Sequence, residues 1–293
     1  MNSEKKKTTV SYSQIMMYHT CQHQWYLKYV KKEGTFEENI YLIFGSAMHA
    51  ILQNYLYVVY NKTAKEADEL DLEKMLYEEL KTQFSRVVEK SSKYPATKQE
   101  LLEFYYDGVE ILRWFKKHRN DYFGKKGYEL VGTEIPIIVD LNENIQFVCY
   151  IDIVLRDIVG DRILIKDFKT STRGWNQYQK KDEKKTQQMV LYKKMYSEKF
   201  NISVDNIDIE YIILKRKLYE NVDYPQKRVQ KFTPASGKPT INRVMGNVNE
   251  FVNNCFTEDG EPVDKTYYKN ASDNNCRFCE FASKPNLCDK TNK

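Results

Sequence analysis

The first part of the chain carries hydrophobic residues every three or four positions, separated by polar ones. This spacing is typical of amphipathic helices. Ser11 and Ser13 are suitable N-caps for the first helix, and Gly45–Ser46 marks the start of the second, which carries His49. The predicted helices cover residues 13–31, 45 onwards, 71–90 and 98–119.

The pattern changes from residue 129 onwards, where Ile- and Val-rich stretches are short and are bounded by polar or Gly-containing turns. These stretches predict three β-strands. A polar stretch (173–186), a helix, a fourth strand and a last amphipathic helix follow. This order predicts an α+β fold, in which a helical insertion precedes a mixed α/β sheet. The strands are expected at 129–139, 145–156, 162–169 and 207–215, and the later helices at 186–199 and 241–255.

Two aspartates lie symmetrically about the turn between the second and third predicted strands. The turn is centred near Val159–Gly160, and Asp152 and Asp167 are equally far from it. In an antiparallel pair they would face each other on one side of the sheet, and Lys169 would share that side. A divalent cation such as Mg²⁺ or Mn²⁺ would neutralise the two carboxylates. A surface hairpin in which Lys169 balances the charge fits the spacing equally well.

Composition and charge restrict the class of protein only mildly. Of the 293 residues, 41% are hydrophobic and 30% are charged, which indicates a folded globular chain. The net charge of +5 permits nucleic-acid binding without arguing for it. No apolar run looks long enough to cross a bilayer, and the N-terminus lacks a secretory signal. We therefore expect a cytoplasmic protein with no membrane partner. Basic clusters lie at 116–119, 180–181, 184–185, 215–217 and 227–228.

Four of the six cysteines suit a metal site, because three lie close together in the C-terminal tail and one lies in the first predicted helix. A tetrahedral site needs four thiolates, and these four suffice. Their residue types are compatible with zinc and with an iron–sulfur cluster alike. The other two, Cys149 and Cys255, are expected to be ordinary buried thiols. The four candidate ligands are Cys21, Cys276, Cys279 and Cys288.

Seven short segments of the chain carry information through their order. They are SYSQIMMYHTCQHQWYLKY (11–29), GSAMH (45–49), TEIP around Glu134, YID (150–152), DFKTS (167–171), QMVLY (188–192) and CRFCEFASKPNLC (276–288). Together they resemble the PD-(D/E)XK nuclease superfamily, and within it the RecB-like branch. The sequence is similar to the AddB nuclease domain and to CRISPR-associated RecB-like exonucleases. The resemblance spans most of the chain and implies a restriction-endonuclease-like core.

The resemblance also implies a role for each matching residue. Lys169 matches the catalytic lysine, and Glu134 matches an acidic position on the first strand that supports the site. Gln188 and Tyr192 match a motif that lines the site and contacts DNA. The branch often has glycine three residues before the first metal aspartate, where this chain has Cys149. The expected metal ligands are the side chains of His49, Asp152 and Asp167 and the carbonyl group of Phe168.

By the same resemblance, the four candidate cysteines are expected to bind a [4Fe–4S] cluster, with Zn²⁺ as the alternative. In related proteins such a cluster joins the two ends of the nuclease domain. One domain over residues 1–293 is expected. Its parts are a helical insertion at about 60–125, a nuclease core at about 128–215, and a C-terminal helix with a cluster-binding tail at about 238–290.

The implied reaction is metal-assisted hydrolysis of phosphodiester bonds in DNA, with Lys169 stabilising charge in the transition state. An exonuclease acting on single strands or DNA ends is the favoured interpretation. It would serve recombination, repair, replication or CRISPR-type processing, beside a helicase or recombination partner, in a bacterial or phage-infected cytoplasm. A structure-selective endonuclease or resolvase and a non-catalytic DNA-binding protein stay open. The segment 173–185 interleaves Trp175 and Tyr178 with lysines, which suits a single strand or an exposed polar loop.

Overall fold

The structure, a computed structural model, describes residues 6–35, 38–91 and 94–290. Both ends of the predicted domain (1–293) and two residues of the predicted insertion (60–125) lie outside this description. Helices flank a six-stranded mixed sheet, which confirms the predicted fold class. The longer helices are α1 (Tyr12–Thr20), α3 (Ile40–Asn61), α5 (Leu72–Ser91), α6 (Lys98–Lys117), α8 (Glu183–Phe200) and α9 (Lys238–Cys255). The short ones are α2 (Gln22–Trp25), α4 (Ala64–Asp68), α7 (Gln177–Lys181) and α10 (Asp273–Cys276), with a π-helical turn at Tyr26–Val30 and 3₁₀ turns at Arg119–Asp121 and Val204–Asn206. The strands are β1 (Thr8–Val10), β2 (Tyr128–Asp140), β3 (Ile145–Asp157), β4 (Arg162–Ser171), β5 (Ile207–Lys215) and β6 (Val229–Phe232).

Strand β3 is at the centre of the sheet and pairs with three other strands. Along one edge it is antiparallel to β2 over nearly its whole length. Along the other edge, residues 153–157 pair with β4 and residues 145–147 pair with β1. Residues 148–152, between these two ladders, therefore have no strand partner on that edge within the described part of the chain. The sheet continues through β4 to β5, which is parallel to it, and then to β6.

The sheet separates two hydrophobic cores. On one face it packs against α1, α8 and α9, with Ile165 and Met189 among the buried residues. On the other face it packs against α3, α5 and α6, and Phe168 is buried there. Successive side chains of a strand point to opposite faces. Asp167 and Lys169, on either side of Phe168, therefore point towards the face that carries α8.

The first helix differs from the sequence prediction, which ran without interruption over residues 13–31. It ends at Thr20, because Cys21 adopts an extended backbone (φ −158°, ψ 108°) before a short second helix begins. Contacts with the C-terminal tail account for the break. The side chain of Asn270 donates to the Thr20 carbonyl (3.1 Å), and the amide of His23 donates to a tail carbonyl (3.1 Å). The tail thus supplies hydrogen bonds that an uninterrupted helix would have made internally.

Helix α3 also differs from the prediction, because it begins at Ile40 and not at Gly45–Ser46. The side chain of Asn39 caps it by accepting hydrogen bonds from the amides of Tyr41 and Leu42 (3.1 and 3.2 Å). Contrary to the sequence expectation, this helix is long and apolar enough to cross a membrane by length and composition. However, 61% of its apolar window is buried inside the protein, which is typical of a core helix.

Short elements escaped the sequence prediction, because periodicity cannot be recognised over three to five residues. These are β1, β6, α4 and α7, together with α10. Helix α7 lies inside the predicted polar stretch, and α8 begins at Glu183, where Asp182 caps it, and not at 186. The other predicted helices and strands are confirmed, with ends shifted by a few residues at most.

Candidate active site

Strands β3 and β4 diverge where the two predicted aspartates lie, and we call this place the fork. The ladder between the strands ends at the pair Ile153 and Lys166, one register step before Asp152 and Asp167. The predicted hairpin register is therefore confirmed up to the fork. Beyond it, the amide of Phe168 donates to Asp152 Oδ2 (2.8 Å). An oxygen of the Asp152 side chain thus accepts the hydrogen bond that a backbone carbonyl would accept in a regular ladder. This hydrogen bond fixes Asp152 against β4.

Helix α3 brings His49 to the fork. The helix approaches β4 closely at Gly45, where an added Cβ would lie 3.5 Å from Thr170 Oγ1. The His49 ring is edge-on to Phe168, with ring centres 5.9 Å apart. Its Nδ1 atom is 3.2 Å from Asp152 Oδ2. The structure therefore places His49 beside the first aspartate, although the two lie on elements far apart in the sequence.

Asp167 is the more deeply buried aspartate of the fork, and its nearest charged group is Lys169. Lys169 Nζ is 2.6 Å from Asp167 Oδ2, and the Asp167 side chain is only 4% exposed. This ion pair offsets part of the cost of burying the Asp167 charge. A bound divalent cation would neutralise both carboxylates of the fork.

Helix α8 forms a wall beside the fork through Gln188 and Tyr192. Gln188 Nε2 donates to Tyr192 Oη (2.8 Å), which holds the two side chains together on one helix face. A cavity of about 440 Å³ lies between this face, the β1–α1 turn and the unpaired stretch of β3. Tyr12 Oη donates to the Lys184 carbonyl (2.8 Å) and so ties α1 to α8 at the cavity. The structure thus brings both predicted α8 residues to a cavity beside the fork.

The charged groups of the fork shift one another's pKa values. Burial raises the pKa of Asp167 against the opposing effect of Lys169, and the charge of Asp152 adds to the rise. Burial would also raise the pKa of Asp152, but His49 and then Lys169 lower it below its usual value. Burial would lower the pKa of His49, but the two carboxylates outweigh it and raise that pKa. Two carboxylates whose pKa values are pushed apart are typical of a catalytic site.

The donor groups at the fork suit a divalent cation. Two carboxylates supply hard oxygen ligands, and an imidazole supplies a nitrogen ligand. The described residues contain no group of three or more His, Cys, Asp or Glu side chains already close enough to hold a metal ion. In the structure, His49 contacts Asp152 and Lys169 contacts Asp167. Cation binding would replace these two contacts.

Glu134 lies on β2 opposite Asp152 and has a strained backbone. The residues on either side of it pair with Ile153 and Ile151 of β3, which gives Glu134 the register position of Asp152. Its φ of 50° lies in the left-handed region. That conformation costs a non-glycine residue about 1–2 kcal/mol. Strain of this kind is often stored next to functional sites.

Gln53 holds Glu134 from α3. It is 7% exposed and donates from Nε2 to Glu134 Oε1 (2.7 Å). It follows His49 by one helical turn, so α3 contacts the sheet twice, through His49 to Asp152 and through Gln53 to Glu134. The sequence prediction included Glu134 as a supporting residue and missed Gln53. The signal that was available is the i, i+4 spacing from His49.

We expect Glu134→Gly to be more stable than Glu134→Ala by about 1 kcal/mol. Both variants lose the contact with Gln53, so they differ mainly in the backbone strain at this residue. In an ordinary strand, glycine is less stable than alanine by about 0.5–1 kcal/mol. Urea unfolding of the two purified variants measures the difference. A more stable alanine variant would contradict the left-handed conformation.

Four cysteines meet where the N- and C-terminal segments contact each other, and they are those predicted as metal ligands. Together they line one small cavity of about 20 Å³. His23 Nε2 contacts the Leu287 carbonyl (3.0 Å), and Lys28 Nζ contacts Glu280 Oε1 (2.8 Å), so the segments are tied on two sides of this cavity. The four are Cys21, Cys276, Cys279 and Cys288.

The two aromatic residues of the segment 173–185 differ in exposure. Trp175 is only 7% exposed and packs against Tyr211 and Phe232, with ring centres 4.9 and 5.9 Å away. It is a core residue, so its predicted stacking on a nucleic-acid base is wrong. Tyr178 is 87% exposed, and its contact with nucleic acid stays a prediction.

Comparison with known proteins assigns the chain to a family. The sequence profile of the PD-(D/E)XK nuclease superfamily matches residues 9–284. A search of curated proteins gives no significant match. Among solved structures, "Crystal structure of SSO0001" is similar at 12% identity over 92% of this chain and 93% of that chain, with a TM-score of 0.29. A likeness at that TM-score supports no conclusion about the site.

Proposed function

Since the chain belongs to the PD-(D/E)XK nuclease superfamily, which implies a metal-dependent nuclease, we propose that it is a Mg²⁺- or Mn²⁺-dependent DNA exonuclease of the RecB-like branch. The observation that carries the proposal is the fork, where a His49–Asp152 contact lies beside an Asp167–Lys169 contact. The alternative of a surface hairpin does not fit, because Asp152 and Asp167 are 7% and 3% exposed. Carboxylates are rarely buried to this extent unless they are paired or bind a metal.

Each residue of the fork has a role in the proposed hydrolysis. His49, Asp152 and Asp167, with the Phe168 carbonyl, would hold the cation, which supplies Lewis acidity and neutralises charge when bound. Lys169 donates from Nζ to the phosphoryl group as negative charge develops on it. Gln188 and Tyr192, held together on α8, orient the strand beside the fork.

The cavity beside the fork is large enough for a strand end. Its volume of about 440 Å³ is in the size range of small-ligand sites. Its walls are the β1–α1 turn, β3 and α8. None of the described residues of the predicted insertion (60–125) lines this cavity, whereas residues of the N-terminal segment do.

Labelled DNA tests this proposal. We expect the purified protein to degrade end-labelled linear single strands with Mg²⁺ or Mn²⁺ and to be inactive when the cation is chelated. Closed circular single strands should stay intact, because they have no end. Cleavage of the circles would indicate a structure-selective endonuclease or resolvase instead. Binding without cleavage in either metal would indicate a non-catalytic DNA-binding protein.

We further propose a [4Fe–4S] cluster at Cys21, Cys276, Cys279 and Cys288, supported by the convergence of the four thiols on one cavity. Zinc is the second candidate, because four thiolates are also a ligand set of structural zinc sites. The RecB-like resemblance also supports a cytoplasmic role in recombination, repair or CRISPR-type processing, beside a helicase or recombination protein.

A further inference from the structure

A second groove lies at the outer edge of the sheet, apart from the fork. It has a volume of about 660 Å³ and is bounded by β6 and by the loop that joins β5 to β6, residues 216–228. Three lysines line it, namely Lys215, Lys227 and Lys231, which we call the groove lysines, together with one carboxylate, Asp121. The groove therefore has a surplus of positive charge. None of these residues belongs to the proposed cation site.

The positive charges in and next to this loop fall into two groups. Arg216, Lys217 and Arg228 are neutralised by acidic residues of α6, with Arg216 Nη1 3.0 Å from Asp107 Oδ2 and Lys217 Nζ 2.9 Å from Glu103 Oε1. These ion pairs fasten the loop to the helical layer. The groove lysines, in contrast, form no ion pair with any residue that the structure describes. No described carboxylate therefore neutralises their charge, although Lys231 Nζ lies 5.1 Å from the centre of the Tyr122 ring.

Two exposed tyrosines stand beside the groove lysines. Tyr219 and Tyr224 line the groove and are 52% and 59% exposed. Gln226 fixes the Tyr219 backbone, since its side chain accepts from the Tyr219 amide (2.8 Å) and donates to the Tyr219 carbonyl (2.7 Å). The Arg173 guanidinium lies 5.2 Å from the centre of the Tyr219 ring. Exposed aromatic rings beside basic side chains are a means by which proteins hold single strands.

Strands β4 and β5 run from the fork towards the groove. Ser171 of β4 pairs with Lys215 of β5, and it lies two residues beyond Lys169 on the same face. Two residues of a strand span roughly 7 Å. The chain then turns tightly at Gly174 (φ 90°), which has no room for a side chain because Lys215 packs against it. A strand held at the fork could therefore continue over this edge into the groove.

We propose that the groove binds a single-stranded segment of nucleic acid next to the fork, with bases on Tyr219 and Tyr224 and phosphates at the groove lysines. This inference rests on the proposed nuclease function and assigns its substrate class as single-stranded. A duplex does not suit the groove, since its bases are stacked on one another and do not offer their faces to tyrosine rings. Arg173 contacts Tyr219, and it would contact the nucleic-acid strand between the fork and the groove.

Fluorescence anisotropy with labelled oligo(dT), measured without divalent cation, tests the groove independently of cleavage. An oligonucleotide of about 20 residues is long enough to span both sites. We expect Tyr219→Ala/Tyr224→Ala to weaken binding at least about tenfold, because two stacking contacts are lost. Tyr219→Phe/Tyr224→Phe retains the rings and should bind like the wild type. In Tyr57→Ala/Tyr268→Ala, two tyrosines of similar exposure outside the groove are removed, and binding should not change.

Salt dependence tests the lysines. Lys227→Gln/Lys231→Gln is expected to reduce the slope of log K against log salt concentration by about 1.4, since each phosphate contact in a single strand contributes about 0.7. The matched control is Lys65→Gln/Lys199→Gln, which removes two exposed lysines outside the groove and should leave the slope unchanged.

The outcomes separate this inference from the proposed function. Cleavage by the wild type, combined with wild-type affinity of the tyrosine and lysine variants, would contradict strand binding at the groove and would leave the proposed nuclease activity supported. Groove-dependent binding without cleavage in Mg²⁺ or Mn²⁺ would contradict the nuclease activity and support strand binding at the groove. If the variants weaken binding to a duplex as much as binding to oligo(dT), the single-strand assignment is wrong.

Discussion

Lys169→Ala is expected to slow cleavage of single-stranded DNA by roughly 10²–10³-fold, the usual cost of removing one preorganised donor from a charged transition state. The ammonium group lies at the fork, 2.6 Å from the carboxylate of Asp167. Its removal withdraws the charge that would stabilise the phosphoryl group, while the groove lysines are unaffected. The variant should therefore bind oligo(dT) like the wild type. Single-turnover assays at saturating enzyme measure the chemical step.

Two comparisons make this result specific. Lys199→Ala removes an exposed lysine at the far end of α8 and should cleave at the wild-type rate. Asp167→Asn should lose cleavage together with the stabilisation that Mn²⁺ gives to the wild type, about 2.7 kcal/mol at a cation concentration of 100 Kd. Thermal unfolding with and without Mn²⁺ measures this stabilisation in the absence of substrate. Full activity of Lys169→Ala would contradict the proposed mechanism, and undiminished Mn²⁺ stabilisation of Asp167→Asn would contradict the cation site.

Cys21→Ser is expected to release the metal of the four-cysteine site and to free the C-terminal tail from the N-terminal helices. A structural metal site can contribute on the order of 10 kcal/mol to folding, far more than the hydrogen bonds that remain. The wild type, purified without oxygen, should contain iron and sulfide and absorb visible light. The variant should contain neither, and limited proteolysis should cut its tail after α9.

Cysteines outside this site provide the control. Cys255 is fully buried in the core formed with α9, and Cys149 is buried on β3, where burial raises the pKa of its thiol to about 12. Cys255→Ala should lose stability through a small cavity and keep its metal. A colourless wild-type protein that contains zinc and no iron would rule out the cluster and establish the second candidate. A wild type without either metal would contradict the site itself.

The hairpin that carries the aspartates could be predicted because its determinants are local. A short turn fixes the register, and a period of two fixes which side chains share a face. The hairpin register that brings Asp152 and Asp167 to neighbouring strands could therefore be predicted from the sequence alone. Their burial could not, because it depends on α3 and α8, which reach the fork from distant parts of the chain. The alternative of a surface hairpin could be excluded only in three dimensions.

Tertiary contacts also explain why the bounds of some helices were predicted wrongly. The residues around Cys21 have helical periodicity, but hydrogen bonds from the tail replace the helical ones there. Helix α3 begins after Asn39 and not at Gly45, where the sequence predicted its start. The cap that Asn39 provides outweighs the cost of about 1 kcal/mol for a glycine inside a helix. The sequence also could not predict which basic residues form ion pairs with α6 and which, like the groove lysines, do not. This depends on which lysines and arginines the acidic residues of α6 can reach.

The N-terminal segment has a further consequence for the protein during its synthesis. β1 pairs with residues 145–147, and Trp25 packs edge-on against Phe251 of α9 with ring centres 5.3 Å apart. Contacts between residues so distant in the sequence form late in folding. The hairpin with the aspartates can form as soon as it leaves the ribosome, but the wall made by the β1–α1 turn must wait for α9 and the tail. The wall beside the fork is therefore completed only after α9 and the tail have been synthesised.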